Sequence, residues 1–188
     1  YAASIVSSDL LGRQAAEHGQ PWQQTLTGFK WIGKIPDLAF GYEEALGYSV
    51  APHIARDKDG VTAILAVLEM AAALKGEQRT LLDRLEDIYR RHGLHTTGQL
   101  SVRVEDLSII TNAMQTLRSN PPSTLGGLSV ESVDDLADGY RGLPPTDGIR
   151  LGLEGDTRII CRPSGTEPKL KCYIEVVRSV DGSMEEAR

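Results

Sequence analysis

Hydrophobic and polar positions fall into two textures along this chain. The segment Tyr1-Ala2-Ala3-Ser4-Ile5-Val6 reads as a short strand already under way. A helix follows, capped by Ser7 or Ser8 and ended by Gly19, and then the polar-apolar segment Trp22 to Leu26. This order predicts a βαβ unit. Leu38 to Tyr42 is a third strand. Val61, Ile64, Leu65, Leu68 and Ala72 then keep the three-four spacing of a helix's buried stripe. Asp57 and Asp59 precede it, where a helix N-terminus favours negative charge. Another helix opens at Thr80, carries Leu81, Leu85, Ile88 and Tyr89 on one face, and stops at His92-Gly93. Alternating strands and helices predict a layered α/β domain.

From about Thr97 the texture changes. Leu100, Val102 and Val104 alternate against Ser101 and Arg103, and a helix follows with Leu107, Ile110, Met114 and Leu117. After a Pro- and Gly-rich stretch, Ile149, Leu151 and Leu153 alternate, Thr157 to Cys161 is β-rich, and Leu170, Cys172, Ile174 and Val176 alternate again. This half predicts a small α+β domain with an antiparallel sheet. The boundary falls between Leu94 and Gly98, giving domains over residues 1–96 and 97–188. Ser183 and Glu186 have the spacing of a capping box at a helix start, close to the last residue, Arg188. Together with a strand under way at Tyr1, this leads to the expectation that the chain is a piece of a longer polypeptide.

Charge and composition narrow the function classes. The 188 residues carry 20 Lys plus Arg against 26 Asp plus Glu, a formal charge of −6, with 40% hydrophobic and 24% charged residues. That is a globular composition, and it lacks the basic excess with which nucleic-acid binders neutralise phosphates. No stretch reaches the roughly 18 to 20 apolar residues of a membrane helix. Cys161 and Cys172 are the two cysteines and form no CxxC pair, which fits a reducing compartment better than a disulfide framework. A bridge between them is conceivable but the fold does not need it. The expectation is a cytoplasmic protein with neither nucleic acid nor membrane as partner.

Three loops hold the residues that can do chemistry. Arg162-Pro163-Ser164-Gly165-Thr166-Glu167-Pro168-Lys169 lies between two strands, with Leu170 pointing inward and Lys169 and Lys171 outward. Gly165 lets backbone N–H groups turn toward one point, Ser164 and Thr166 add hydroxyl donors, and Arg162 can fork two hydrogen bonds onto a phosphate. The same residues also suit a plain hairpin turn. In Thr25-Leu26-Thr27-Gly28-Phe29-Lys30-Trp31-Ile32-Gly33, Lys30 can neutralise a phosphate or transfer a proton, or simply lay its stem over Trp31. Gly41-Tyr42-Glu43-Glu44-Ala45-Leu46-Gly47-Tyr48 brackets two carboxylates with glycines at a strand's C-terminal end, where α/β sheets put ligands. Glu43 and Glu44 there can accept sugar hydroxyls or form a solvated acidic turn.

Other patterns do not have the spacing their chemistry requires. Asp57-Lys58-Asp59-Gly60 lacks the order of a calcium loop, and no metal site is assigned. His18, His53, His92 and His95 read as ordinary surface histidines, and Ser7-Ser8 reads as a helix cap rather than a nucleophile.

Taken together, TLTGFKWIG, FGYEEALGY, RDKDGV and above all CRPSGTEPKLKCY, in this order and spacing, resemble the C-terminal half of an α-D-phosphohexomutase, the phosphoglucomutase and phosphomannomutase superfamily. The resemblance covers essentially the whole chain. It implies that residues 1–96 are the third of four domains around one deep cleft, bearing the sugar-contacting loop. Residues 97–188 become the fourth, bearing the phosphate-binding loop. The first two domains lie outside the sequence, and with them the phosphoserine and the aspartate-rich loop that binds Mg²⁺, so the fragment alone is expected to be inactive.

The implied reaction is an intramolecular phosphotransfer that interconverts hexose 1-phosphate and 6-phosphate. It runs through a phosphoserine enzyme and a hexose bisphosphate that serves as intermediate and activator. By the same resemblance Arg162, Ser164, Gly165, Thr166 and Lys169 hold the phosphate that is not transferred, and Glu43, with Glu44 beside it, accepts sugar hydroxyls. Lys30 matches a lysine near the reacting centre with an electrostatic or acid-base role. The acidic loop departs from the family pattern, since Ala45 and Tyr48 replace its usual serine and histidine and Leu46 is inserted. That variant resembles members that also accept phosphopentoses, which leaves a phosphopentomutase as an alternative. A non-catalytic phosphosugar-binding module is another, since it can use the same anion loop.

Overall fold

The computed structural model describes residues 1–187 and divides them into two units. One runs from Tyr1 to Leu94 together with the segment that starts at Ser179, and the other from His95 to Arg178. The sequence division carries the second domain to the end of the chain, whereas the structure groups that last segment with the first unit.

In the first unit β1 (Ala2–Ser4), α1 (Leu10–Glu17) and β2 (Gln23–Thr25) form a βαβ unit, with Ala2 paired to Gln23 and Ser4 to Thr25 in parallel. Ser8 assists the start of α1, its Oγ accepting from the Leu10 N–H at 3.1 Å, while Asp9 occupies the cap position. After α2 (Phe29–Ile32), β3 (Gly41–Glu43) pairs parallel to β1, and β4 (Gly47–Ser49) turns back antiparallel to β3. The sheet order is β2-β1-β3-β4. The third strand begins later than the expected Leu38, because Leu38 turns into a cluster with Ala2, Phe29 and Ile32 instead of entering the ladder.

The helices α3 (Gly60–Gly76) and α4 (Leu81–His92) have side-chain caps. Asp59 accepts from Val61 N, Thr62 N and the Thr62 hydroxyl, and these bonds, the hydroxyl's first, hold its carboxyl below the usual value. Thr80 and Asp83 form a reciprocal capping box, and Gly93 follows α4 at φ +91°. The stripe read as buried on α3 is not: Val61, Ile64, Leu65 and Leu68 are 59–70% exposed. Val67 and Met70 are exposed as well, so the helix is apolar around most of its circumference, and the described residues bury only Leu74. Helices apolar all round are normally covered by other protein. A short α6 (Met184–Ala187) begins with the expected box, Glu186 N to Ser183 Oγ at 3.2 Å and Ser183 N to Glu186 Oε2 at 3.0 Å.

The second unit is a six-stranded sheet of order β5-β10-β9-β8-β7-β6. Its strands are β5 (Leu94–Arg103), β6 (Thr124–Leu125), β7 (Leu128–Asp135), β8 (Ile149–Leu153), β9 (Arg158–Pro163) and β10 (Lys169–Arg178). The helix α5 (Leu107–Ser119) lays Ile110 and Met114 on Ile149, Leu151, Leu153 and Cys161, with Leu170 and Cys172 packed beside them. Leu100 and Val102 do alternate along β5, yet both are exposed. The Pro- and Gly-rich stretch also conceals a hairpin: β6 and β7 are joined by Gly126-Gly127, both at positive φ as a type I′ turn requires.

On the sheet face opposite α5 lies a buried polar group that overturns the reading of His95 as a surface residue. His95 Nδ1 is 2.8 Å from Glu175 Oε1, and the Arg158 Nε–H donates to Glu175 Oε2 at 2.7 Å, with all three residues buried. Charges this deep persist only when paired and hydrogen-bonded, which explains how polar residues stay buried at β9 and β10 positions that alternation assigns to solvent. His92 is likewise largely covered, its Nε2 3.1 Å from Glu17 Oε2.

Candidate functional site

The acidic loop sits at the tip of the β3–β4 hairpin, where its glycines are sterically required. A Cβ on Gly41 clashes with Ile32 Cγ2, and one on Gly47 meets Glu43 Cγ at 2.8 Å. Gly47 therefore lets the Glu43 side chain lie across the hairpin. Its carboxylate accepts from Lys58 Nζ at 3.3 Å, and the same ammonium lies 5.7 Å from the centre of the Phe29 ring. Lys58 thus faces Glu43, a pairing that sequence reading, which took this segment as helix-start charge, did not find.

Glu44 turns the other way. Its Oε2 accepts from the hydroxyls of Ser4 at 3.0 Å and Ser7 at 3.1 Å, and its own N–H donates to Ser7 Oγ at 3.0 Å. Ser4 and Ser7 are buried and 2.8 Å apart, so Glu44 ties the loop to the end of β1 and Glu43 is left as the carboxylate at the hairpin tip. Leu46 completes the tip in the left-handed region at φ +58° with 81% of its surface exposed. For a bulky side chain that is a strained conformation in a residue that buries almost nothing. Lys30, on α2, is exposed, with its ammonium 5.8 Å from the Trp31 ring centre.

The second loop joins β9 to β10. Ser164 N donates to Lys169 O at 2.8 Å and Lys169 N to Glu167 O at 2.7 Å, closing the turn. Lys169 Nζ donates to Glu167 Oε1 at 2.9 Å, and Arg103 stands 3.7 Å from the same oxygen. The Lys169 hydrogen bond and charge hold the Glu167 carboxyl below its usual value. At the foot of the turn Arg162 and Lys171 are opposite each other in the antiparallel register, both half-buried. Neither has an ion pair or side-chain hydrogen bond among the described residues. From 162 to 171 the chain carries three cations, Arg162, Lys169 and Lys171, against the single acid Glu167. Like charges directly opposite on a sheet repel, so this arrangement gains when an anion sits between them.

Gly165 refines the sequence reading. A Cβ there meets nothing within 4 Å, and its φ lies outside the left-handed region, so the turn itself does not demand glycine. Thr166 and Gly165 are exposed and Ser164 is half-buried. Among the described residues no group of three or more His, Cys, Asp or Glu can hold a metal ion, and no helix is long and apolar enough to cross a membrane. These residues therefore do not fit a magnesium site.

Comparison with known proteins places the chain. Residues 1–92 match phosphoglucomutase/phosphomannomutase, alpha/beta/alpha domain III, and residues 101–185 match phosphoglucomutase/phosphomannomutase, C-terminal domain. A probable phosphomannomutase of Haemophilus influenzae is 42% identical over 174 residues, 93% of this chain and 35% of that protein. A phosphoglucomutase of Staphylococcus aureus is 34% identical over 194 residues, 92% of this chain and 35% of that protein. The phosphopentomutase of Homo sapiens is 32% identical over 198 residues, covering 93% and 32%. The crystal structure of the exocytosis-sensitive phosphoprotein pp63/parafusin, a phosphoglucomutase from Paramecium in its open form, superposes with a TM-score of 0.73 at 22% identity. That superposition covers 99% of this chain and 35% of the other, and shows the shared fold. The chain spans about a third of the length of these relatives and belongs to the phosphoglucomutase/phosphomannomutase family, matching its domain III and C-terminal domain.

Proposed function

We propose that this member of the phosphoglucomutase/phosphomannomutase family is the substrate-holding part of a phosphosugar mutase that interconverts hexose 1-phosphate and 6-phosphate. The observation that carries the reading is the unpaired, opposed Arg162 and Lys171 at the foot of the Ser164–Lys169 turn. The Arg162 guanidinium forks onto the phosphate that is not transferred. Lys171 supplies a second charge, and the Ser164 and Thr166 hydroxyls and the Gly165 backbone complete the cradle. Lys169, held by Glu167, shares its remaining N–H donors with the same anion.

Glu43 accepts a sugar hydroxyl, and Lys58, paired to it without ligand, keeps it aimed. Glu44 acts through the loop rather than on the sugar. Lys30 supplies positive charge or a proton beside the reacting phosphate. The phosphoserine and the Mg²⁺ that its chemistry uses belong to the part of the polypeptide outside these 188 residues, which by themselves do not catalyse transfer. That outside part is the partner for the exposed apolar face of α3, whose length and composition call for cover.

The inserted Leu46, with Ala45 and Tyr48, supports a second reading in which a pentose 1-phosphate is isomerised to its 5-phosphate on the same loops. Steady-state kinetics of the intact protein with glucose, mannose and ribose 1-phosphates tests both readings. A dominant kcat/KM for a hexose supports the first and for ribose the second, while turnover of none refutes both.

A further inference from the structure

We propose that Cys161 and Cys172 are a thiol modification site, a cross-strand pair that a peroxide oxidises to an intramolecular disulfide at the foot of the β9–β10 hairpin. The two residues are register partners in the antiparallel ladder, and the Cys161 S–H points at Cys172 Sγ across 2.9 Å. Directly opposed residues in such a ladder have Cα atoms about 4.5 or 5.5 Å apart, and both spacings lie within the range that disulfides span, so closure requires no backbone displacement. The sulfurs differ in access. Cys161 is buried in the cluster under α5, whereas Cys172 is half-buried and open to a small oxidant. They also differ in charge: accepting the Cys161 proton in a hydrogen bond lowers the Cys172 thiol to about 7, and the same bond with burial raises Cys161. A thiol near 7 is substantially thiolate at neutral pH.

The step uses hydrogen peroxide as oxidant. The Cys172 thiolate attacks one peroxide oxygen and the O–O bond breaks; the leaving hydroxide takes a proton and departs as water, and Cys172 becomes a sulfenic acid. The Cys161 sulfur then attacks the Cys172 sulfur. The S–O bond breaks, the S–S bond forms, and a second water leaves with the Cys161 proton. Two thiols and one peroxide give one disulfide and two waters. The ring so closed contains Arg162 to Lys171, so the bridge ties together the two ends of the anion turn. The inference concerns the thiols alone and stands whether or not that turn holds phosphosugar.

The test treats the intact protein with dilute hydrogen peroxide, blocks free thiols by alkylation, and reads mass and a non-reducing peptide map. The expected result is a loss of about 2 Da and a linked peptide pair containing Cys161 and Cys172, both reversed by dithiothreitol and both absent in Cys172→Ala. Restricting the unfolded chain also predicts a higher Tm for the oxidised wild type than for the reduced. Complete alkylation of both thiols after peroxide overturns the proposal. So does a gain of about 32 Da on Cys172, the mark of a sulfinic acid, without a linked pair. The peptide map of the wild-type protein decides the matter even if the variant folds poorly.

Discussion

Replacing Arg162 by alanine separates an anion anchor from an ordinary strand residue, because the two roles predict opposite signs for stability and affinity. In the structure Arg162 faces Lys171 with no ion pair or side-chain hydrogen bond of its own among the described residues, so the guanidinium adds repulsion to the free fold. Removing it leaves Tm unchanged or slightly raised. A charge-assisted hydrogen bond contributes about 1.5–3 kcal/mol net, and 1.4 kcal/mol corresponds to a factor of ten, so losing the phosphate contact weakens phosphosugar binding about tenfold to a hundredfold. Lys171 keeps the effect from growing larger. Arg162→Lys restores the charge but not the fork and falls between the two. The assay is initial-rate kinetics of the intact protein with a sugar 1-phosphate, paired with a calorimetric titration of the same ligand and a thermal melt. Unchanged KM and kcat in Arg162→Ala refute the anchor. A drop of several degrees in Tm with unchanged KM shows that the residue serves the strand instead.

The remaining predictions follow from single features. Gly165→Ala leaves Tm within about a degree, since the added Cβ meets nothing and such surface changes stay within about 0.5 kcal/mol, yet it raises KM because the methyl obstructs the anion's approach to the backbone; unchanged KM refutes a cradle at this residue. Glu43→Gln shifts the ratio of hexose to pentose turnover more than it shifts phosphate affinity, and equal losses on both sugars count against a hydroxyl acceptor. Leu46→Gly stabilises the protein by up to about 1 kcal/mol, read as a Tm rise of a few degrees, because it relieves a left-handed backbone at little loss of burial; a fall in Tm shows that Leu46 is covered in the intact protein. Ile64→Asp with Leu68→Asp lowers the stability of the intact protein by several kcal/mol if the rest of the polypeptide covers α3, each buried aliphatic side chain contributing about 1.5–3 kcal/mol, whereas a change under about 0.5 kcal/mol shows that the face stays in water.

The features legible in the sequence are those decided locally. The helix start at Thr80 and the capping box at Ser183 are decided within four residues, and both are present as expected, the first closed by a box to Asp83 that only the structure shows. Ile149, Leu151 and Leu153 alternate because β8 has a core on one face, and that signal survives without knowledge of the partner strands. What sequence reading missed depends on distant residues. Glu44 looks equivalent to Glu43 until the βαβ unit brings Ser4 and Ser7 beneath it, about 40 positions away in the chain. His95 looks like a surface residue until β10 delivers Glu175. Lys58 acquires its meaning from Glu43, which periodicity does not connect to it. The β6–β7 hairpin is a different case: Gly-Gly between Thr124-Leu125 and Leu128-Ser129-Val130 carried its own signal, masked by the prolines before it and by a register shift between Val130 and Ser132. The α3 stripe was read correctly as apolar and wrongly as covered, since periodicity reports what a helix needs buried, whatever part of the polypeptide does the burying.

The most direct test of the account is phosphorus NMR of the intact protein incubated with glucose 1-phosphate, Mg²⁺ and a trace of glucose 1,6-bisphosphate, followed by the same measurement with ribose 1-phosphate. The account predicts that the 1-phosphate resonance declines while the resonance of the terminal phosphate of the same sugar, at carbon 6 or carbon 5, grows to an equilibrium ratio. Arg162→Ala slows that approach without changing the ratio. A 1-phosphate resonance that persists with both sugars in the wild-type protein contradicts the account and leaves the Ser164–Lys169 turn as a binding element without a mutase.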